Sequence, residues 1–142
     1  MKPVSDEVKA WLNKASSDLL AAQILVEHST LALGPAAFHC QQTAEKALKA
    51  FLISRAAPFD RVHNLVYLLD LCEAEETHFA TLREETESLT PYAVEIRYPG
   101  DTIEISIEEA HKALAAAKAV WNTVLQLLPD ELHPSVPKEE LR

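Results

Sequence analysis

The chain has 142 residues, of which 48% are hydrophobic and 25% charged, ordinary values for one soluble globular domain. Its two glycines compare with the roughly ten that average usage supplies, which argues against a fold built on hairpin turns and bulges. Thirteen basic against 22 acidic residues give a net charge of −9. That argues against broad binding to a nucleic-acid backbone while leaving room for a small nucleotide pocket or a short RNA cleft.

The first predicted helix spans about 5–28. Ser5 is its expected cap, Asp6 and Glu7 suit its N-terminal dipole, and Val8, Trp11, Leu12, Ala15, Leu19, Ala22 and Val26 form one apolar stripe. Gly34-Pro35 punctuates the chain and opens a second helix to about Arg55. Ala37, Cys40, Ala44, Ala47, Leu48, Phe51 and Leu52 form its apolar face. His39, Gln42, Thr43, Lys46 and Lys49 are assigned to the opposite, solvated one.

Ala57-Pro58 ends that helix, and a loop through His63 leads to a third helix over about 64–74. A fourth begins near Glu75 or Thr77 and meets Pro91, where it kinks or hands over to a new turn. The stretch from Ile96 to Asp101 reads as loop, and Thr102–Ile105 as extended chain. Ser106-Ile107-Glu108-Glu109 has the form of a capping box and opens the fifth helix, which Pro129 ends. The expected architecture is all-α, a five-helix up-and-down bundle over 1–128, followed by a mobile C-terminal tail over 129–142.

Cys40 and Cys72 lie far apart without metal-ligand spacing and read as buried free thiols. His28, His78 and His133 likewise lack partners at such spacing, and no metal site or cofactor is expected. The chain shows no membrane-length apolar run and no signal peptide, so the expectation is a cytoplasmic protein with no membrane partner.

Helix 2 carries a local contradiction. On a helical wheel Gln41 falls on the apolar side, and Glu45, one turn on, falls at its margin. A buried carboxylate needs a cation or hydrogen-bond donors. Glu45 is therefore either a rim residue whose head reaches water or part of a buried polar cluster, with Arg97 as the expected cation. Arg97 itself reads either as that partner or as a surface residue in a Pro-Gly turn. His63 stands at a helix start, placed either to meet an anion or to cap the helix. His111 reads as a packed residue at the edge of the helix 5 stripe. A Gly-rich phosphate loop, a nucleophile elbow and a paired-carboxylate motif are all missing from the sequence.

Three segments resemble one family. Ala37-Phe38-His39-Cys40-Gln41-Gln42-Thr43-Ala44-Glu45-Lys46-Ala47-Leu48-Lys49-Ala50-Phe51-Leu52 is similar to the second helix of the HEPN domain, the "higher eukaryotes and prokaryotes nucleotide-binding" family. Val62-His63-Asn64-Leu65-Val66-Tyr67-Leu68-Leu69 resembles its histidine-led third helix, and Ile96-Arg97-Tyr98-Pro99 its arginine-tyrosine-proline segment. Trp11, Ala15, Asp18, Leu19 and Ala22 fit its first helix, so that the resemblance covers about 8–128.

The resemblance implies a five-helix bundle that pairs as a homodimer and works with a minimal nucleotidyltransferase, often as a toxin–antitoxin pair. It places the binding of a nucleotide, short RNA or partner on Gln41, Glu45, Lys46, His63, Arg97 and Tyr98. Many relatives are metal-independent endoribonucleases with an arginine and a histidine four to six residues apart. Here the histidine next after Arg97 is His111, fourteen positions on; Arg55 precedes His63 by eight, and Arg61-x-His63 is shorter than the motif. No catalytic residue is therefore assigned. The leading expectation is a non-catalytic binding module. An endoribonuclease with a rearranged Arg/His site and a purely structural dimerising bundle are the alternatives.

Overall fold

The computed structural model describes residues 3–93 and 104–134. Arg97 and Tyr98, with the expected Arg97–Glu45 contact, lie outside these residues. Five α-helices follow one another: α1 (Val4–His28), α2 (Leu33–Ser54), α3 (Leu65–Glu75), α4 (Arg83–Leu89) and α5 (Ile107–Gln126). Short 3-10 turns occupy Thr77–Leu82, Thr90–Tyr92 and Asp130–Leu132. The described residues contain no strand.

α2 is the central helix. It packs most extensively on α1, then on α5, and also against α3. A helix covered on several sides buries more than one stripe, and α2 buries Gln41, Thr43, Glu45 and Lys49 along with its alanines, leucines and Phe51. That corrects the assignment of Thr43 and Lys49 to a solvated face. The Thr43 hydroxyl meets its burial by donating to the carbonyl of His39 at 2.9 Å. Phe51 and Phe79 meet edge to face, centroids 4.6 Å apart, and carry the core under the α3–α4 connection.

Helix termini agree with the sequence where a side chain does the capping. Ser106 and Glu109 form the full capping box of α5. Asn64, rather than His63, caps α3 by accepting from the Tyr67 amide at 3.1 Å. Two starts differ from expectation. α1 begins at Val4 after Pro3, without a side-chain cap at Ser5. The α1–α2 turn is set by Ser29, whose hydroxyl accepts from the amides of Leu31 and Ala32, so α2 starts two residues before Pro35. Past Pro129, Leu132 packs on the core, and His133 Nε2 donates to the carbonyl of Leu125 in α5 and to that of Leu128 just beyond it, at 2.8 and 3.0 Å.

The end of α2 is unusual. Ala57 N–H bonds to Leu52 O and Ala56 N–H to Ile53 O, both at 3.0 Å, the double closure of a Schellman motif. Its left-handed position, normally glycine, holds Ala56 at φ 53°. This strained turn launches the loop that carries Arg61 and His63.

Candidate functional site

Two polar clusters flank α2. In the first, Glu45 is 2% exposed and is fully used. Oε2 accepts from Lys49 Nζ at 3.0 Å, and Oε1 accepts from Gln41 Nε2 at 3.2 Å. His63 Nδ1 stands 3.1 Å from both oxygens. Gln41 Nε2 also reaches the His63 carbonyl at 3.3 Å, and its Oε1 accepts from Gln42. Among the described residues the lysine paired with Glu45 is Lys49, one turn along the same helix.

An ionised carboxylate only accepts hydrogen bonds, so His63 Nδ1 carries the proton; in the neutral ring Nε2 is then the acceptor. The His63 side chain is 74% exposed. A buried carboxylate therefore fixes the orientation of an imidazole that faces solvent. The loop is held in turn by the Asp60 amide, which donates to the Tyr67 hydroxyl at 3.1 Å.

His63 borders a groove of about 630 Å³ between the start of α1 and the end of α2, within the size range of small-molecule sites. Ile53, Ala57, Pro58 and Phe59 form its apolar wall, with Trp11 from α1. Lys49, Arg61 and Glu7 complete the lining. Lys49 Nζ also lies 5.4 Å from the Trp11 ring centroid, a cation–π contact that ties the buried pair to the groove.

The second cluster joins α1 to α2. Asp18 receives His39 Nδ1 at 2.8 Å and Lys46 Nζ at 2.5 Å. Burial opposes ionisation of Asp18, but hydrogen bonds from His39 and Lys46 outweigh it and hold the carboxyl below its usual value. Of the expected site residues, Gln41, Glu45 and His63 come together, whereas Lys46 belongs to this second cluster. Lys49, Trp11, Phe59 and Arg61 lie outside the set of site residues that the sequence suggests. The signal for Lys49 is helical spacing, which sets it only about 40° from Glu45 at 100° per residue.

The remaining titratable groups are structural or exposed. Cys40 is buried, which pushes its thiol up to about 12 despite Lys118 nearby, and the buried Cys72 is raised as well; neither is a nucleophile at neutral pH. His111 is exposed rather than packed. Among the described residues no three His, Cys, Asp or Glu side chains converge as a metal site. No described helix is long and apolar enough to cross a membrane.

The architecture and the α2 cluster define the class: an all-α, five-helix domain organised around one central polar-bearing helix. The model of the HEPN domain matches residues 8–128, and the chain belongs to that family. The crystal structure of ST0689, an archaeal HEPN homologue, has a similar fold, with a TM-score of 0.67 and 21% identity over 89% of this chain and 98% of that one. No curated protein matches the chain.

Proposed function

We propose that this chain is a non-catalytic HEPN module that binds a nucleotide or a partner at the Glu45–His63 groove. In this reading it acts beside a minimal nucleotidyltransferase in a toxin–antitoxin-like pair. The observation that carries the reading is the buried Glu45 carboxylate holding an exposed His63 at the rim of a groove with aromatic and cationic lining. Such a site suits an anionic ligand.

Co-purification from the native host, with nucleotide and partner identified together, tests this. A nucleotidyltransferase and bound nucleotide, retained by the wild type and lost with Glu45→Ala, support it; recovery of neither overturns it. The proposal includes a homodimer. Ile24 and Leu31, 48% and 96% exposed, supply apolar surface for it, whereas Val120 is fully buried. Light scattering that returns a monomer mass across the micromolar range removes the dimer.

A second reading has one specific observation behind it. Arg61 and His63 line the same groove, so a cation and an oriented imidazole stand together although their spacing is shorter than the family's ribonuclease motif. Incubation with a mixed RNA pool decides between the readings. The non-catalytic module leaves the RNA intact. Cleavage that is lost in Arg61→Ala or Arg97→Ala establishes the endoribonuclease.

A further inference from the structure

The negative charge of the chain is unevenly placed. Residues 4–63 carry six acidic and six basic side chains, whereas residues 65–89, through α3 and α4, carry seven acidic side chains and one basic, Arg83. Arg83 is committed to Asp70 and Glu73. Glu84, Glu85 and Glu87 of α4 have no ion-pair partner among the described residues.

α4 packs along α5, and a groove runs between them. One part, of about 280 Å³, has Glu84, Glu85 and Ser88 on its α4 wall. Its α5 wall is Lys112 with Ala115, Ala116 and Ala119. A second part, of about 230 Å³, adjoins it between Tyr92 and Glu109 and shares Ser88 and Lys112 with it. Alanine ends at Cβ, so this stretch of α5 offers a smooth apolar floor on which an aliphatic chain can lie.

Glu85 sets this groove apart. Its Oε2 is buried and receives no hydrogen bond among the described residues. Native structures normally supply a buried carboxylate oxygen with a donor, because leaving it bare costs free energy. Lys112 lines the same groove but does not reach that oxygen. An apolar floor beside a carboxylate that lacks its donor matches a side chain with an aliphatic stem and a cationic head.

We propose that the α4–α5 groove docks a basic segment of a partner protein, which inserts one lysine or arginine side chain. The stem lies on the alanines of α5, and the head donates to Glu85 Oε2 and to Glu84. The acidic α3–α4 surface around the groove attracts such a segment and repels an acidic one. Lys112, the one opposing charge on the groove, is exposed and stands three residues from Glu109 on the same helix. It turns to that carboxylate when the incoming cation takes its place. The site is separate from the Glu45–His63 groove, whose lining comes from α1, α2 and the loop before α3, so either can fail without the other.

The probe is a capped alanine peptide carrying three arginines, compared with the same peptide carrying glutamates in their place. Each is titrated into the full chain and followed by NMR at the alanine methyls. The arginine peptide is expected to shift Ala115, Ala116 and Ala119, and the glutamate peptide to shift none of them. Glu85→Gln and Glu84→Gln should each weaken the arginine peptide about fivefold or more, and Lys112→Ala should tighten it. Glu84 and Lys112 are exposed, so these two variants test the groove without threatening the fold. Glu27→Gln removes the same single charge from an exposed position on α1 and should change the affinity less than about twofold.

An equal loss from Glu27→Gln overturns the proposal, because net charge alone then drives binding. Weaker binding by Lys112→Ala, or shifts that avoid the three groove alanines, overturns it as well. So does an arginine peptide that fails to bind at millimolar concentration.

Discussion

The two polar clusters flanking α2 use the same three residue types to different ends. Each is a carboxylate with one lysine and one histidine bonded through Nδ1: Glu45 with Lys49 and His63, Asp18 with Lys46 and His39. Around Asp18 both partners lie on α2, and the His39 side chain is 30% exposed, so the cluster is a staple between α1 and α2. Around Glu45 the lysine is intrahelical, whereas the histidine arrives on a loop and is 74% exposed. Composition alone therefore does not separate a structural ion cluster from the proposed binding site. The element that delivers the histidine, and the solvent beyond it, do.

The comparison is broken most forcefully at Glu45. Glu45→Ala leaves the buried Lys49 ammonium without a counter-charge and should cost about 3–5 kcal/mol in urea unfolding. Glu45→Gln, which keeps hydrogen-bonding capacity, should cost less. Equal losses from the two variants would show that packing, not charge, dominates at this position.

Asp18→Asn should cost less than Glu45→Ala, about 1–3 kcal/mol, because its partners retain access to water. The pH dependence follows from the lowered Asp18 value. A carboxyl whose folded pKa lies below its unfolded one contributes stability above the unfolded value, near 3.8, and loses it as pH falls through the folded value. The wild type's advantage over Asp18→Asn should therefore be full at pH 7 and shrink steadily below about pH 4. An advantage that stays constant down to pH 2 would contradict the pairing.

A smaller effect belongs to the turn that shapes the groove. Ala56→Gly removes the left-handed strain at φ 53° but adds unfolded-state entropy, for a net gain of under about 1 kcal/mol in thermal unfolding. Smallest of all is the exposed network of Arg83 with Asp70 and Glu73. Arg83→Ala should leave the urea midpoint within error, as surface ion pairs usually do. A clear loss there would mean that the α3–α4 surface is more rigid than its exposure implies.

These contrasts also mark what could be read from the sequence. The five helices, the α5 capping box and the burial of Gln41 follow from local periodicity and cap chemistry, which a single chain displays openly; for Glu45 the wheel leaves a water-reaching rim position and burial both open, and the structure buries it. Assigning Thr43 and Lys49 to a solvated face assumes a single stripe for α2; a central helix covered by α1, α3 and α5 keeps only a narrow half-buried strip at His39, Gln42 and Lys46. The meeting of His63 with Glu45 depends on the path of the loop from Ala56 to Asn64. That of Asp18 with His39 and Lys46 depends on the register of α1 against α2. Neither path nor register is written in residue spacing. At Thr77–Leu82 the structure has a 3-10 turn before α4 where the sequence predicts the start of a helix; there the Glu76 side chain accepts from the His78 amide and restarts the chain.

The central claim is that the Glu45–His63 end binds ligand while the Asp18–His39–Lys46 end only fastens the bundle. The most direct test measures adenosine 5′-monophosphate affinity and melting temperature together for His63→Ala and His39→Ala. The account predicts that His63→Ala loses about tenfold or more in affinity with little change in melting temperature, since that side chain is mostly solvated. His39→Ala should lower the melting temperature and leave the affinity intact. Loss of affinity in His39→Ala, with His63→Ala binding as the wild type does, would contradict the account.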